Sequence, residues 1–472
     1  MEKNEFKAWK ERLLSTKKNG YDKLDAKELP ELEAYCQGYK AYLDAGKTER
    51  LCAAESIRMA EEAGYRPYVR GMALAAGDKV YVSNRGKAVL LAHIGTKSLA
   101  EGAQIAAAHI DSPRLDLKPN PLYEEGEMAY FKTHYYGGLR KYQWVTIPLE
   151  LHGVAVLKDG SKVTVNVGGD PGDPRLVITD LLPHLGQEQS KKPLGEAVPG
   201  ETLNLLLGSR PIGGEEESGR VKLAVLRLLN EKYGLTEDDF TSAELEAVPA
   251  VNACDIGLDR SFIGAYGQDD RVCAYAALKA LLDLKETPER TAVCVLADKE
   301  EIGSDGVTGM QSAAFDTFME DLCAAQNVPL RACFEKSFCL SADVTAAYDP
   351  DFAEVYEKRN AACVNYGVGL CKYTGARGKS GASDADAETV GYVRRLFEEH
   401  GVIWQIAELG KVDAGGGGTV AMYMANRNIA TLDAGVPVLS MHAPFETVSK
   451  LDCWETYKGM QAVYQAPRGV AE

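Results

Sequence analysis

Four apolar runs in this sequence each end on a histidine or a carboxylate. QIAAA leads into His109-Ile110-Asp111, TAVCVLA into Asp298-Lys299-Glu300-Glu301, FCLSA into Asp343, and VPVLSM into His442. Short apolar runs of this kind read as strands buried on both faces of a sheet. Between them lie helical patterns, among them DDRVCAYAALKALLDL (269–284) and AETVGYVRRLFEEHG (387–401), the second stopping at Gly401. Alternating strands and helices predict an α/β fold, a mainly parallel sheet covered by helices on both faces. In such a sheet the carboxyl ends of the strands line the ligand crevice. The pattern therefore predicts that chemically active residues far apart in sequence gather at one edge of one sheet. A fifth motif, Asp269-Asp270-Arg271, opens a predicted helix and puts its carboxylates at a helix N-terminus.

The rest of the chain fits around this core. The first 65 or so residues read as helices. Strands follow at KVYVSN from 79 and AVLLAHI from 88, and late in the chain IATLDAG and VPVLSM (429–441) read as two strands before a closing helix, KLDCWETYKGMQAVYQ. Between 113 and 250 the character changes to Pro-rich turns, the strands VTIPLELHGVAVL and KVTVNV, a connector GGEEESGR at 213–220, and an amphipathic helix from Val221. The expected organisation is one discontinuous domain, 1–112 and 251–472, interrupted by a β-rich insertion at 113–250.

Charge and cysteine usage exclude several functions. Lys plus Arg number 53 against 69 Asp plus Glu, a net charge of −16, which argues against a nucleic-acid backbone binder. The 11 cysteines are dispersed without a C-x-x-C pair, as expected of reduced thiols in the cytoplasm. The opening MEKNEFKAWKERLLS is too charged for a signal peptide. No apolar run approaches the roughly 18 residues of a membrane span. A cytoplasmic protein without nucleic-acid or membrane partners is expected.

His109, Asp269, Glu301, Asp343 and His442 make a set of two imidazoles and three carboxylates, which suits borderline ions such as zinc. With one Asp bridging, five such ligands can hold two metals about 3.5–4 Å apart. Three carboxylates and a bridging hydroxide balance two divalent ions; without metal, such a cluster would repel itself and take up protons. Glu300, beside Glu301, is left free to accept a proton. Taken singly, each motif also has a plainer reading: a capping pair at His109/Asp111, a helix cap at Asp269-Asp270, a solvated pair at Glu300-Glu301, a partly buried His442. The run Gly415–Gly418 lacks the Gly-Lys-Ser/Thr ending of a phosphate loop. It reads instead as a turn of close backbone approach near a substrate, centred on Gly416.

Five stretches, AAHIDSP (107–113), GQDDR (267–271), DKEEIGS (298–304), SADVTAAYDP (341–350) and LSMHAPFE (439–446), occur in an order and spacing that resemble the aspartyl aminopeptidase / aminopeptidase I family of dinuclear zinc metallopeptidases. The resemblance spans nearly the whole chain. It implies that His109 and Asp343 hold one metal, that Glu301 and His442 hold the other, and that Asp269 bridges them. Asp111 would orient His109, and Glu300 would be the general base for a hydroxide held by the two ions. The metals implied are most simply zinc, with manganese or cobalt able to share the ligands. The substrates implied are peptides with a free N-terminus. The 113–250 insertion would be a dimerisation domain, and the assembly a dodecamer. DLLPHLGQEQ (180–189) resembles the segment that sends a histidine, here His184, into a neighbouring subunit's site to stabilise the oxyanion. Lys372 matches the lysine that meets the substrate side chain, but Lys372-Tyr373-Thr374-Gly375 does not reproduce the run of acidic-specific members. A strict preference for Asp or Glu is therefore not implied.

Two rival readings keep the same fold. One is a related dinuclear hydrolase, an N-acyl deacylase or carboxypeptidase. The other is a non-catalytic assembly protein, which would be expected to have lost ligands. A nucleotide-binding enzyme built on the glycine run lacks the phosphate-loop lysine.

Overall fold

The computed structural model describes residues 3–15, 17–214 and 217–470. Met1 and Glu2 of the charged N-terminal stretch, and Glu215 and Glu216 of the predicted connector, lie outside the described residues. Among the described residues no helix is long and apolar enough to cross a membrane.

The largest sheet has nine strands, and its four central ones are parallel: Thr291–Ala297, Ala103–His109, Phe338–Ser341 and Ala430–Gly435. Three of them are predicted apolar runs and the fourth is the predicted strand IATLDAG; all are buried except for the half-buried Ala430. Their side chains alternate between two cores, as the two-residue period of a strand requires. Ala106, Ala108, Cys294 and Leu296 pack under the helices Leu29–Ala45, Gln268–Leu282 and Lys450–Gln465. Ile105, Ala107, Val293 and Val295 pack under Ala314–Ala324, Leu330–Lys336 and Val420–Ala425. Helices thus cover both faces. The margins are not parallel: Ala88–His93 runs antiparallel to Thr291–Ala297, and Val368–Cys371 antiparallel to Ala430–Gly435. The sheet is mixed, with a parallel centre.

A second sheet of six antiparallel strands is built wholly from Arg114 to Pro249, with Leu149–Val156, Ala243–Pro249, Arg114–Glu125 and Met128–Tyr136 in its middle. It has its own core around Leu115, Phe131, Trp144, Leu151, Phe240 and Leu245. The helix Arg220–Tyr233 packs on it with one stripe and leaves Leu223 and Leu228 exposed on the other.

The third sheet is a departure from expectation. Cys254–Ile256, Phe262–Ala265, Glu446–Ser449, Pro437–Leu439 and Thr345–Ala346 form a five-stranded sheet of their own. The two strands predicted across 429–441 therefore belong to different sheets. The chain changes sheet at Gly435-Val436, where it runs against the turn that follows Asp343. Thr345 N–H donates to Val436 O at 3.0 Å, and a Cβ on Gly435 would lie 1.8 Å from the Asp343 carbonyl oxygen. Only glycine permits this approach. The consequence for the motifs is direct. His109, the 298–301 turn and Asp343 leave the nine-stranded sheet, whereas Asp269 and His442 hang from the five-stranded one. The predicted convergence at one edge of one sheet is corrected to a convergence between two sheets. Asp269 and Asp270, moreover, have non-helical backbone (φ −80°, ψ 110° and φ −114°, ψ 27°), so regular helix begins only after them.

Gly435→Ala should displace the Asp343 turn. Forcing atoms into packed backbone costs about 1–3 kcal/mol or more, so the variant should show a lowered melting temperature in the metal-free protein. It should also bind zinc more weakly. Unchanged melting and zinc titration would contradict the close approach.

Candidate metal centre

Asp269 lies between two imidazoles. Its Oδ1 is 3.3 Å from His109 Nε2 and its Oδ2 is 3.1 Å from His442 Nε2. His109 Nε2 is also 3.9 Å from Asp343 Oδ1 and 3.9 Å from Glu300 Oε2. His442 Nε2 is 3.6 Å from Glu301 Oε2. Ligand atoms of His109, Asp269 and Glu301 lie within 4.8 Å of one another, as do those of His109, Glu300 and Asp343. The structure thus brings together His109, Asp269, Glu300, Glu301, Asp343 and His442. Glu300 and Glu301 differ in exposure: the Glu300 side chain is 16% exposed toward the cavity, that of Glu301 only 4%.

Each histidine has one nitrogen occupied elsewhere. His109 Nδ1 is 3.0 Å from the Asp111 carbonyl and 3.3 Å from its carboxylate. His442 Nδ1 is 2.6 Å from Gly138 O. Placing each proton on Nδ1, as these acceptors require, leaves both Nε2 lone pairs facing Asp269, the arrangement a metal-binding histidine needs. Asp111 is fully buried and does more than hold His109. It accepts the amide N–H of Glu300 at 3.1 Å and of Glu301 at 3.2 Å, and the Tyr136 hydroxyl at 2.9 Å. The 3-10 turn Glu300–Ile302 is flanked by left-handed residues, Lys299 (φ 69°) and Gly303 (φ 95°), which turn both glutamates back over the strand ends. His442 is itself left-handed (φ 64°), a costly conformation for histidine. Glu446 holds it there, accepting His442 N–H at 2.7 Å and Asp269 N–H at 3.1 Å.

The electrostatics are those of a cluster with a surplus of negative charge. Burial pushes the Glu301 carboxyl well above its usual range, and the Asp269 charge adds to this. Asp343 is raised well above by burial and by Glu300. Burial, together with the Asp111 and Asp269 charges, raises Glu300 to about 7 against the pull of His109. Asp269 is also buried, but its contacts with His109 and His442 outweigh that and hold it below the carboxylate range. Burial opposes charge on the imidazoles, yet Asp111 and Asp269 hold His109 well above its usual value, and Asp269 and Glu301 raise His442 to about 10. Asp269 Oδ1 and Glu301 Oε1 are buried without a hydrogen-bond partner. Leaving such oxygens unsatisfied costs of order 1–3 kcal/mol each, more when charged. A divalent cation with mixed nitrogen and oxygen ligands answers both features, so the residues fit a metal centre.

The cluster opens into a cavity of about 520 Å³, lined on the far side by Tyr373, Gly375, Glu408 and Gly415–Gly418. Gly416 lines it with φ 119°, and a Cβ there would lie 1.9 Å from Gly375 O. Thr419 anchors the run, donating to the buried Asp433 at 3.0 Å. Lys372 is not among the lining residues, although Cys371 and Tyr373 on either side of it are; it donates to Asp384 at 3.0 Å. The basic groups on the wall are Arg377, Lys379 and Lys411 instead. His184 is exposed on a turn between Leu182 and Leu185 and does not reach this chain's own cavity. Sequence reasoning missed Tyr136, Gly138 and Glu446. Glu446 ends the quoted stretch LSMHAPFE and stands four residues after His442, and Tyr136 precedes the glycine pair Gly137-Gly138 at its strand's end, a hint of close approach.

Comparison with known proteins gives one consistent result. The family "Aminopeptidase I zinc metalloprotease (M18)" matches residues 42–464. A "Probable M18 family aminopeptidase 1" from Clostridium acetobutylicum is 48% identical over 458 residues, covering 95% of this chain and 98% of that protein. The crystal structure of an M18-family aminopeptidase from Thermotoga maritima superimposes with a TM-score of 0.91 at 44% identity, covering 96% of this chain and 100% of that one. The S. cerevisiae mApe1 dodecamer shares the fold, with a TM-score of 0.76 at 20% identity over 93% of this chain and 98% of that one.

The raised carboxyls and imidazoles make metal affinity depend on pH. Ligands must lose their protons to bind, and Glu301, Asp343, His109 and His442 all hold theirs above their ordinary values. Zinc affinity of the metal-free protein should therefore rise from pH 6 to pH 8, with net proton release. Calorimetric titration in buffers of different ionisation enthalpy measures both; pH-independent affinity without proton release would contradict the charge balance described.

Proposed function

We propose, starting from a chain that belongs to the aminopeptidase I (M18) family of zinc metalloproteases, that its metal-dependent aminopeptidase activity is carried by the cluster around Asp269. The protein is a peptide hydrolase that removes the N-terminal residue. Its relatives are named as aminopeptidases, so the deacylase, carboxypeptidase and non-catalytic readings are not favoured. The observation that carries the assignment of residues is the position of Asp269, one oxygen toward His109 and the other toward His442.

In this reading His109 and Asp343 would hold one divalent ion and Glu301 and His442 a second, zinc first among them, with Asp269 completing the set. Bound there, such ions supply Lewis acidity, polarising the scissile carbonyl and lowering the pKa of water to roughly 7. Glu300, raised to about 7 and facing the cavity, takes the proton from the attacking water and passes it to the leaving amine. A carboxylate so placed, beside the metal ligands and open to the cavity, can act first as general base and then as general acid. Asp111 aims this carboxylate through the Glu300 amide and keeps His109 in the tautomer that presents Nε2. The glycine run 415–418 lets the substrate backbone approach the cavity wall, with Gly416 as the contact. Lys372 would meet a substrate side chain only by leaving Asp384.

The 113–250 insertion acts in this proposal as the dimerisation domain of a discontinuous chain, 1–112 with 251–472. Leu181, Leu182 and Leu185 are 55%, 49% and 70% exposed around His184. An apolar turn of this kind suits insertion into a neighbouring subunit, where His184 would stabilise the oxyanion. A dodecamer, as in the yeast protein of the same fold, and a cytoplasmic location complete the proposal.

Glu300→Gln should retain its metal content and lose turnover by about 10²–10⁴-fold, the usual contribution of general acid–base catalysis. Metal analysis with a panel of free-amine and N-blocked peptides, acidic and neutral at the first residue, tests this. Cleavage of blocked peptides, or full activity of Glu300→Gln, would refute the assignment.

A further inference from the structure

The strand Met128–Tyr136 of the six-stranded sheet ends in Tyr136-Gly137-Gly138, and these three consecutive residues all reach the metal centre. The Tyr136 hydroxyl donates to Asp111 Oδ2 at 2.9 Å. Gly137 is left-handed (φ 73°), and a Cβ on it would lie 3.2 Å from Glu301 Cβ and 3.3 Å from Glu301 Oε2. Gly138 O accepts from His442 Nδ1 at 2.6 Å. Beneath Tyr136 lies a buried ionic cluster. The Arg114 guanidinium covers the ring at 3.8 Å from its centre. It pairs with Glu49 at 3.3 Å and Glu246 at 3.4 Å, and Glu49 pairs with Lys87 at 2.9 Å. Arg114 and Glu246 belong to the six-stranded sheet, whereas Glu49 and Lys87 belong to the main body. The cluster therefore pins the insertion to the body at the point where it touches the site.

We propose that Tyr136-Gly137-Gly138 is a positioning element of the metal centre, through which the inserted sheet orients both histidines, His109 by way of Asp111 and His442 directly. The proposal rests on the metal-binding reading of the cluster. Its physical basis is the number of groups that Asp111 serves. The carboxylate accepts from His109, two backbone amides and Tyr136. Of these only the phenol comes from the insertion. Removing it leaves one lobe of a buried carboxylate short of a donor, and Asp111 can then turn away from His109 and from the turn that aims Glu300. Loss of a partner that orients a metal-binding histidine typically weakens metal binding 10–100-fold.

The test uses the full chain. Tyr136→Phe keeps the ring over Arg114 and removes only the hydroxyl, and Gly137→Ala keeps the phenol and crowds Glu301. Tyr130→Phe, on the same strand but stacked on Tyr123 away from the site, is the control. Metal-free protein is titrated with zinc alone against a chromophoric chelator. Tyr136→Phe and Gly137→Ala should each bind zinc at least about tenfold more weakly than wild type, with Tyr130→Phe unchanged. In the zinc-saturated enzyme, Tyr136→Phe should lower kcat with KM nearly unchanged. A lowered melting temperature with wild-type zinc affinity would mark a merely structural role and overturn the proposal, as would an equal loss in Tyr130→Phe. If wild type itself binds no zinc, the metal-binding reading falls; if wild type binds and Tyr136→Phe matches it, the positioning role alone falls.

Discussion

A buried carboxylate between two imidazoles, Asp269 between His109 and His442, is the constraint around which the site is organised. Three elements must arrive together to make it. The Ala103–His109 strand delivers one imidazole, the turn after Pro437–Leu439 the other, and the segment after Phe262–Ala265 the carboxylate. None of these groups would be stable in the interior alone, because an unpaired buried charge costs several kcal/mol. Collected, and joined by Glu301, they form a cluster rich in carboxylates with unsatisfied oxygens on Asp269 and Glu301. Buried oxygens left open in this way suit a divalent cation with mixed nitrogen and oxygen ligands.

The supporting residues show how much structure such a site requires. Asp111 and Glu446 are both buried carboxylates that accept backbone amides. Each ties two parts of the site together: Asp111 joins His109 to the Glu300-Glu301 turn, and Glu446 joins Asp269 to His442. The left-handed backbone at Lys299 and His442 is the local strain that results when side chains are aimed by tertiary contacts rather than by regular secondary structure. The six-stranded sheet contributes through Tyr136 and Gly138, so a module expected to serve assembly also stands within hydrogen-bonding reach of the centre.

Much of this was legible in the sequence. The central strands could be read because residues buried on both faces must be apolar throughout, as in TAVCVLA and QIAAA. The residues that gather at the site could be read as candidate ligands because metals accept few residue types, and strand ends are where an α/β sheet exposes them. The closing helix Lys450–Gln465 and the helix Ala387–Glu399 followed from their apolar stripes and end residues. The pairing of Lys372 with Asp384 was not legible, because a resemblance in sequence does not say which neighbour will claim a charge.

What the sequence by itself determined is therefore the inventory: which segments are strands, which polar residues terminate them, and which family of metal hydrolases that inventory resembles. The tertiary structure alone decided the arrangement. It split the strands at 429–441 between two sheets at Gly435, because only there can the backbone pass the Asp343 turn. It turned Tyr136 and Gly138 of the insertion toward the two histidines. Periodicity and composition report how each segment meets solvent. Contacts between segments far apart in the chain depend on packing that no local pattern encodes.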